Sequence, residues 1–282
     1  FIGETYALKS GEKENIATAI KEHYFPLNAN SNLPQTKEGM VVSIADKIDT
    51  IAAVFLSTQK DKKKKRPTGS NDPLGVRRAA IGILRIIIES GFEIDIEKLI
   101  DFSIRQIASE FNLEVELTLK SELMDFIVDR LFVMFEDEYD TEILEALRKT
   151  SPLSNLKLFK EKCDDLKAEK DSKDFRDFIE QAKRISRITE GVDKALLNRS
   201  FSAADLKSDE EKKLYEALNL TKSCDLKSVK DLYSLTPAID SFFTAVLVND
   251  ENVEDKNNRL SLLLRLRSIF DSFADFTKFK KA

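Results

Sequence analysis

The chain of 282 residues has one histidine, two cysteines, no tryptophan, eight glycines and six prolines. Each shortage excludes something. With His23 as the lone histidine, Ser/His/Asp and Cys/His arrangements have no motif to rest on, and a His-rich metal cluster cannot form. Cys163 and Cys224 make no CxxC spacing, so they read as reduced, buried or half-buried side chains. So few Gly and Pro leave little room for hairpins and much for long helices. No apolar run approaches the length of a membrane span, and the N-terminus lacks a basic-then-apolar signal pattern. The expected location is the cytoplasm, with no membrane partner. The chain opens on Phe1 without an initiator methionine, which is expected of a fragment of a longer protein.

What is present is a chain 42% hydrophobic and 34% charged, patterned at helical spacing. The expected fold is all-α. Ile16, Ala19 and Ile20 mark the apolar side of a helix over 13–24, which Pro26 ends. Ile44, Ile48, Ile51 and Phe55 recur at i, i+4, i+7 and i+11 in a helix over 40–56. The helix over 76–90 is apolar nearly all round in its second half and stops at Gly91. Asp95 caps the next, with Leu99, Ile100, Ile104, Ile107 and Phe111 inward. Leu113 to Leu119 alternates but has no partner strand, so it reads as an extended linker and the domain boundary: 1–117, then 118–282. Beyond it, Ser121 starts a helix, and Leu156–Phe159–Cys163–Leu166 and Phe175–Phe178–Ala182–Ile185 are expected to pair as antiparallel helices. Ser208 to Glu211 reads as a capping box, and Thr236-Pro237 as a capping Thr followed by proline at the first helical position.

A net charge of −5 argues against a surface that binds nucleic acid everywhere, yet leaves room for a local basic face. Lys60 to Arg66 has six basic residues in seven, read either as a solvated loop or as a tether for RNA phosphate. Pro67-Thr68-Gly69-Ser70-Asn71-Asp72-Pro73 follows, rich in turn formers, and delivers Arg77 and Arg78 to the start of an apolar helix. Backbone and hydroxyl groups at Thr68, Gly69 and Ser70 are candidates for receiving a phosphate beside the two arginines. The competing reading is an internally bonded turn in which Asp72 caps the helix and pairs with an arginine. The segment has neither Walker spacing nor a preceding strand.

Glu22-His23-Tyr24, then Ala45-Asp46-Lys47-Ile48-Asp49, then PTGSNDP running into Arg77-Arg78-Ala79-Ala80-Ile81-Gly82, resembles the β subunit of the bacterial two-subunit glycyl-tRNA synthetases, over most of the chain. Two departures stand out. The basic run at 60–66 looks like an insertion, and Leu74-Gly75-Val76 replaces a Phe-Ala-Leu-like step. Near the C-terminus, 237–248 and Asn258-Arg259-Leu260 resemble the end of that subunit and, more distantly, the helical anticodon-binding domain of arginyl-tRNA synthetases; Gln181 to Ile185 fits the same family.

The resemblance implies that residues 1–117 are the later part of an HD-like helical domain, with His23, Asp46 and Asp49 as its vestige and no metal held. It implies that 118–282 form an anticodon-binding bundle, with Lys183, Arg184, Asn258, Arg259 and Arg265 as tRNA candidates beside Arg77 and Arg78. Arg259 has a second reading, as a brace at a helix junction. The implied role is binding tRNA-Gly while a separate α subunit attaches glycine using ATP and magnesium; this fragment would carry no cofactor and no catalytic residue. Two alternatives remain: a metal-dependent HD-type phosphohydrolase and a non-catalytic helical scaffold.

Overall fold

The computed structural model describes all residues except 1, 29–30, 60–71, 73, 200–202, 224–225 and 281–282. The described residues are all-helical, with twelve α-helices, four short 3-10 helices and no strand. Two compact units divide the chain: Phe1–Glu138 with Pro152–Phe159, and Tyr139–Ser151 with Lys160–Ala282.

The first unit is built on α3 (Lys37–Thr58), which packs against α2 (Glu14–Glu22), α4 (Val76–Ser90) and α5 (Ile96–Glu110). Thr36 accepts from the Gly39 N–H to start α3, and Ile44, Ile48, Ile51 and Phe55 are buried as their spacing predicts. Helix α4 runs over the predicted residues and ends at Gly91, whose φ of +70° suits the residue without a Cβ. The Glu22 carboxylate fastens α2 to α3: it accepts from the N–H of Gln35, the N–H of Thr36 and the Thr36 hydroxyl at 2.6–3.0 Å. Burial works against its charge, but these bonds hold its pKa below the usual glutamate value. The same carboxylate explains Gly39, where a Cβ would lie 2.3 Å from Glu22 Oε2.

Helix α2 differs from expectation. Ala17, Ala19 and Glu22 are buried, while Ile16 and Ile20 are 41% and 37% exposed. A buried carboxylate with three donors outweighs two isoleucines in setting which face turns inward. Among the described residues the extended segment after α5 has no strand partner, and a side chain supplies one instead. The Gln59 amide donates to Glu114 O (2.6 Å) and accepts from Glu116 N (3.1 Å), the two groups an extended chain presents on one edge. Helix α6 (Leu119–Phe135) starts two residues before Ser121 and packs on α3, α4 and α5, with Phe126 edge-on to Phe55. It therefore belongs to the first compact unit, beyond the segment where the sequence places a boundary.

In the second unit, the predicted apolar positions of α8 (Leu156–Glu169) from Cys163 on and of α9 (Lys173–Ile188) are buried. The neighbours of α9 are α11 (Thr236–Ala245), α12 (Val253–Phe273) and two 3-10 turns, whereas α8 is tied to the turn 229–235 through Asp165 and Glu169. Phe178 is fully buried and makes edge contacts with Phe270 and Phe276 at 5.1 and 5.0 Å. This aromatic centre, more than an α8–α9 pair, orders the unit. Ser208 and Glu211 form the predicted reciprocal cap at the start of α10 (Asp209–Ser223). Thr236 does not cap: the turn 229–235 runs directly into α11, and the Thr236 hydroxyl is buried without a hydrogen-bond partner.

Candidate nucleic-acid interface

Asp72 organises the start of α4. Its carboxylate accepts from the N–H groups of Arg77 (3.0 Å) and Arg78 (3.3 Å), and Arg78 Nε lies 3.6 Å from it. Arg78 is exposed and Arg77 half-buried. Beneath them Arg130, 8% exposed, lays its guanidinium over the Phe126 ring at 3.6 Å and donates to Phe126 O. Burial and the nearby Arg77 charge lower its basicity, while Asp129 and Asp72 oppose them. Arg130 is missing from the sequence reading because it lies inside an apolar helix face. Thr68, Gly69, Ser70 and the basic run 60–66 lie outside the described residues.

His23, Asp46 and Asp49 do come together. They line a groove of about 600 Å³ together with Glu38, Ile16, Ile20 and Val42. His23 Nδ1 donates to Ile20 O at 2.7 Å and its ring rests on Tyr24, while Asp49 accepts from the Ser103 hydroxyl. Among the described residues no group of three or more His, Cys, Asp or Glu is placed to hold a metal ion. His23, Asp46 and Asp49 form no such group, and the Ser103 hydroxyl already engages Asp49.

The five C-terminal candidates separate by burial. Arg259 is 8% exposed; it donates to Glu211 (2.5 Å), Asp250 (2.6 Å) and Leu247 O (2.9 Å). Burial disfavours its charge, yet the two carboxylates hold its pKa above the usual arginine value. The second reading from sequence, a brace, describes this geometry. Asn258 is buried, accepting from Arg199 Nε (3.0 Å) and donating to Asp205 O (3.4 Å). Arg265 is half-buried and donates to Arg199 O at 2.5 Å. Asn258 and Arg265 thus converge on Arg199, a junction residue absent from the sequence candidates. Lys183 is half-buried, its ammonium 2.5 Å from Phe279 O.

Only Arg184 of the five is exposed, and its guanidinium lies 4.0 Å above the Phe243 ring. Helix α9 adds three more exposed cations, Lys173, Arg176 and Arg187, and the two arginines with Lys183 line a groove of about 770 Å³. Arg176, Lys183 and Arg187 stand at i, i+7 and i+11, one side of a helix. That periodicity is readable in the sequence, and Arg176 and Arg187 extend the side that Lys183 occupies. The cations are interspersed with Asp140, Glu142, Asp177 and Glu180, and Lys170 and Lys280 pair with Asp140 and Glu142.

The family model described as Glycyl-tRNA synthetase beta subunit matches residues 1–149, more than half of the chain. The chain belongs to the glycyl-tRNA synthetase β-subunit family. Curated relatives named Glycine–tRNA ligase beta subunit include those of Persephonella marina (32% identical over 98% of this chain and 41% of the relative), Aquifex aeolicus (33%, 99% and 39%) and Listeria welshimeri (34%, 97% and 39%). The chain thus spans about two-fifths of the length of these β subunits. By their names, these relatives are subunits of an aminoacyl-tRNA synthetase, a ligase. Among the described residues no helix is long and apolar enough to cross a membrane.

Proposed function

We propose that this chain is a tRNA-binding part of a glycine–tRNA ligase β subunit, supporting ATP-dependent attachment of glycine to tRNA-Gly by an α subunit. Family membership together with the exposed cations of α9 carries this reading. In it, residues 1–117 correspond to the HD-like portion and 118–282 to the anticodon-binding portion, with α6 of the latter packed against the former. Arg184, Arg176, Arg187 and Arg78 supply the contacts, because they are exposed. Arg259 and Asn258 are dropped from the contact set, because a buried and fully engaged side chain cannot reach a phosphate without unfolding its surroundings. ATP and Mg²⁺ belong to the α-subunit chemistry, and no step is assigned to them on this chain.

The test is a gel shift with tRNA-Gly against a non-cognate tRNA across a salt series. Cognate binding that weakens as salt rises is the expected outcome, since phosphate contacts release counterions. Equal binding of both tRNAs, or none, would defeat the reading. The isolated chain is expected to show no glycine-dependent ATP–pyrophosphate exchange; exchange on this chain would overturn the division of labour.

A further inference from the structure

Two neighbouring helices of the second unit each present a pair of residues three apart: Gln181 and Arg184 on α9, Asp240 and Phe243 on α11. The pairs meet rung to rung. Arg184 lies over Phe243 at 4.0 Å, and Gln181 Nε2 donates to Asp240 Oδ1 at 3.3 Å. Phe243 is 9% exposed, while Arg184 and Asp240 are exposed. The ring therefore supports one face of the guanidinium, and the residue as a whole is exposed. On the neighbouring rung stands a carboxylate whose one hydrogen bond among the described residues is the long contact from Gln181. The Gln181 carbonyl oxygen is buried without a hydrogen-bond partner, so the amide forgoes a bond on that side while its N–H faces Asp240.

A flat cation backed by an aromatic ring, next to an underused acceptor, suits a particular ligand. We infer that Arg184 and Asp240 form a pocket edge for one unpaired nucleobase: the base stacks on the guanidinium, and an exocyclic amine donates to the Asp240 carboxylate. Phosphate is the poorer fit at this spot, because Asp240 would repel it. Unpaired bases are bound by stacking on Arg planes and by hydrogen bonds to their edges. A carboxylate accepts from the amine of cytosine and finds no such donor on uracil. Asp240 thus lowers affinity for RNA in general and confers choice among bases. The inference rests on the tRNA-binding reading and specifies where in the second unit a base is held.

Fluorescence anisotropy with labelled oligo(rC) and oligo(rU) ten-mers, alongside tRNA-Gly, tests it on the whole chain. Oligo(rC) is expected to bind about fivefold or more tighter than oligo(rU), the lower end of one specific base contact. Arg184→Lys keeps the charge and removes the plane, so it should weaken oligo(rC) about fivefold or more. Asp240→Asn should bring the rC-to-rU ratio towards one without weakening oligo(rU). Both side chains are exposed, and unchanged far-UV circular dichroism confirms that each variant folds. If the chain binds tRNA-Gly but Arg184→Lys and Asp240→Asn leave affinity and ratio as they were, the pocket is wrong and the tRNA reading survives. If no tRNA binds, both fall.

Discussion

Arg259 shows how a residue chosen for its charge can serve the fold instead. Its partners Glu211 and Asp250 are themselves engaged, Glu211 in capping α10 and Asp250 in accepting from the Asn252 N–H. Backbone donation from Asn252 and the Arg259 guanidinium together hold the Asp250 pKa below the usual range. Arg259→Ala would strand a buried carboxylate, at a cost of about 3–5 kcal/mol. Urea unfolding should register that loss; an Arg259→Ala variant as stable as the wild type would contradict the burial. Any loss of tRNA binding in this variant therefore reports stability before contact.

Lys47 poses the opposite case, a charge held without a carboxylate hydrogen bond. Its ammonium donates to Ser43 Oγ (2.8 Å) and His23 O (3.0 Å), and burial brings its pKa down to about 8, with Asp46 pulling the other way. The unfolded chain binds this proton more tightly, so between about pH 8 and 10.5 stability should rise with pH. The slope belongs to one residue and is isolated by difference. Urea midpoints measured at pH 7.5 and 9.5 should rise more in the wild type than in Lys47→Met; parallel changes in the two proteins would remove Lys47 as the cause.

At the scale of elements, caps and close approaches decide where helices begin and which face turns inward. Helix α3 can lie against α2 because Gly39 leaves room for the Glu22 carboxylate. Gly39→Ala must displace that carboxylate or the helix start, and about 1–3 kcal/mol of destabilisation is expected, the usual range for overpacking. A thermal melt reads it directly; an unchanged melting temperature would mean that Glu22 moves freely. Helices α3, α4 and α9 were legible in the sequence because their apolar periodicity and their stop signals agree. Helix α2 was legible in its extent but not in its buried face, since hydrophobicity pointed to Ile16 and Ile20 while the bonds to Glu22 come from residues 35 and 36, beyond the helix itself. Thr236 failed as a cap for a related reason: a preceding 3-10 turn left it no exposed helix start to serve.

For the whole molecule, a net charge of −5 sets the expected character of RNA binding. With contacts confined to a few exposed arginines, the slope of log K against log salt should be shallow, about two to four in magnitude. Arg176→Ala with Arg187→Ala should reduce it by about one to two. A steep slope unaffected by this pair would place the contacts elsewhere on the chain.

Composition and periodicity alone determined the all-helical class and the central helices of both units, because these depend on local spacing; the family was carried by the resemblance of short stretches of residues in order. Tertiary structure decided which arginines face solvent. Arg184 and Arg259 look alike in sequence, each a basic residue within a helix. Their difference arises from what distant segments bring to them: an aromatic ring beneath an exposed side chain for one, two carboxylates and a carbonyl for the other.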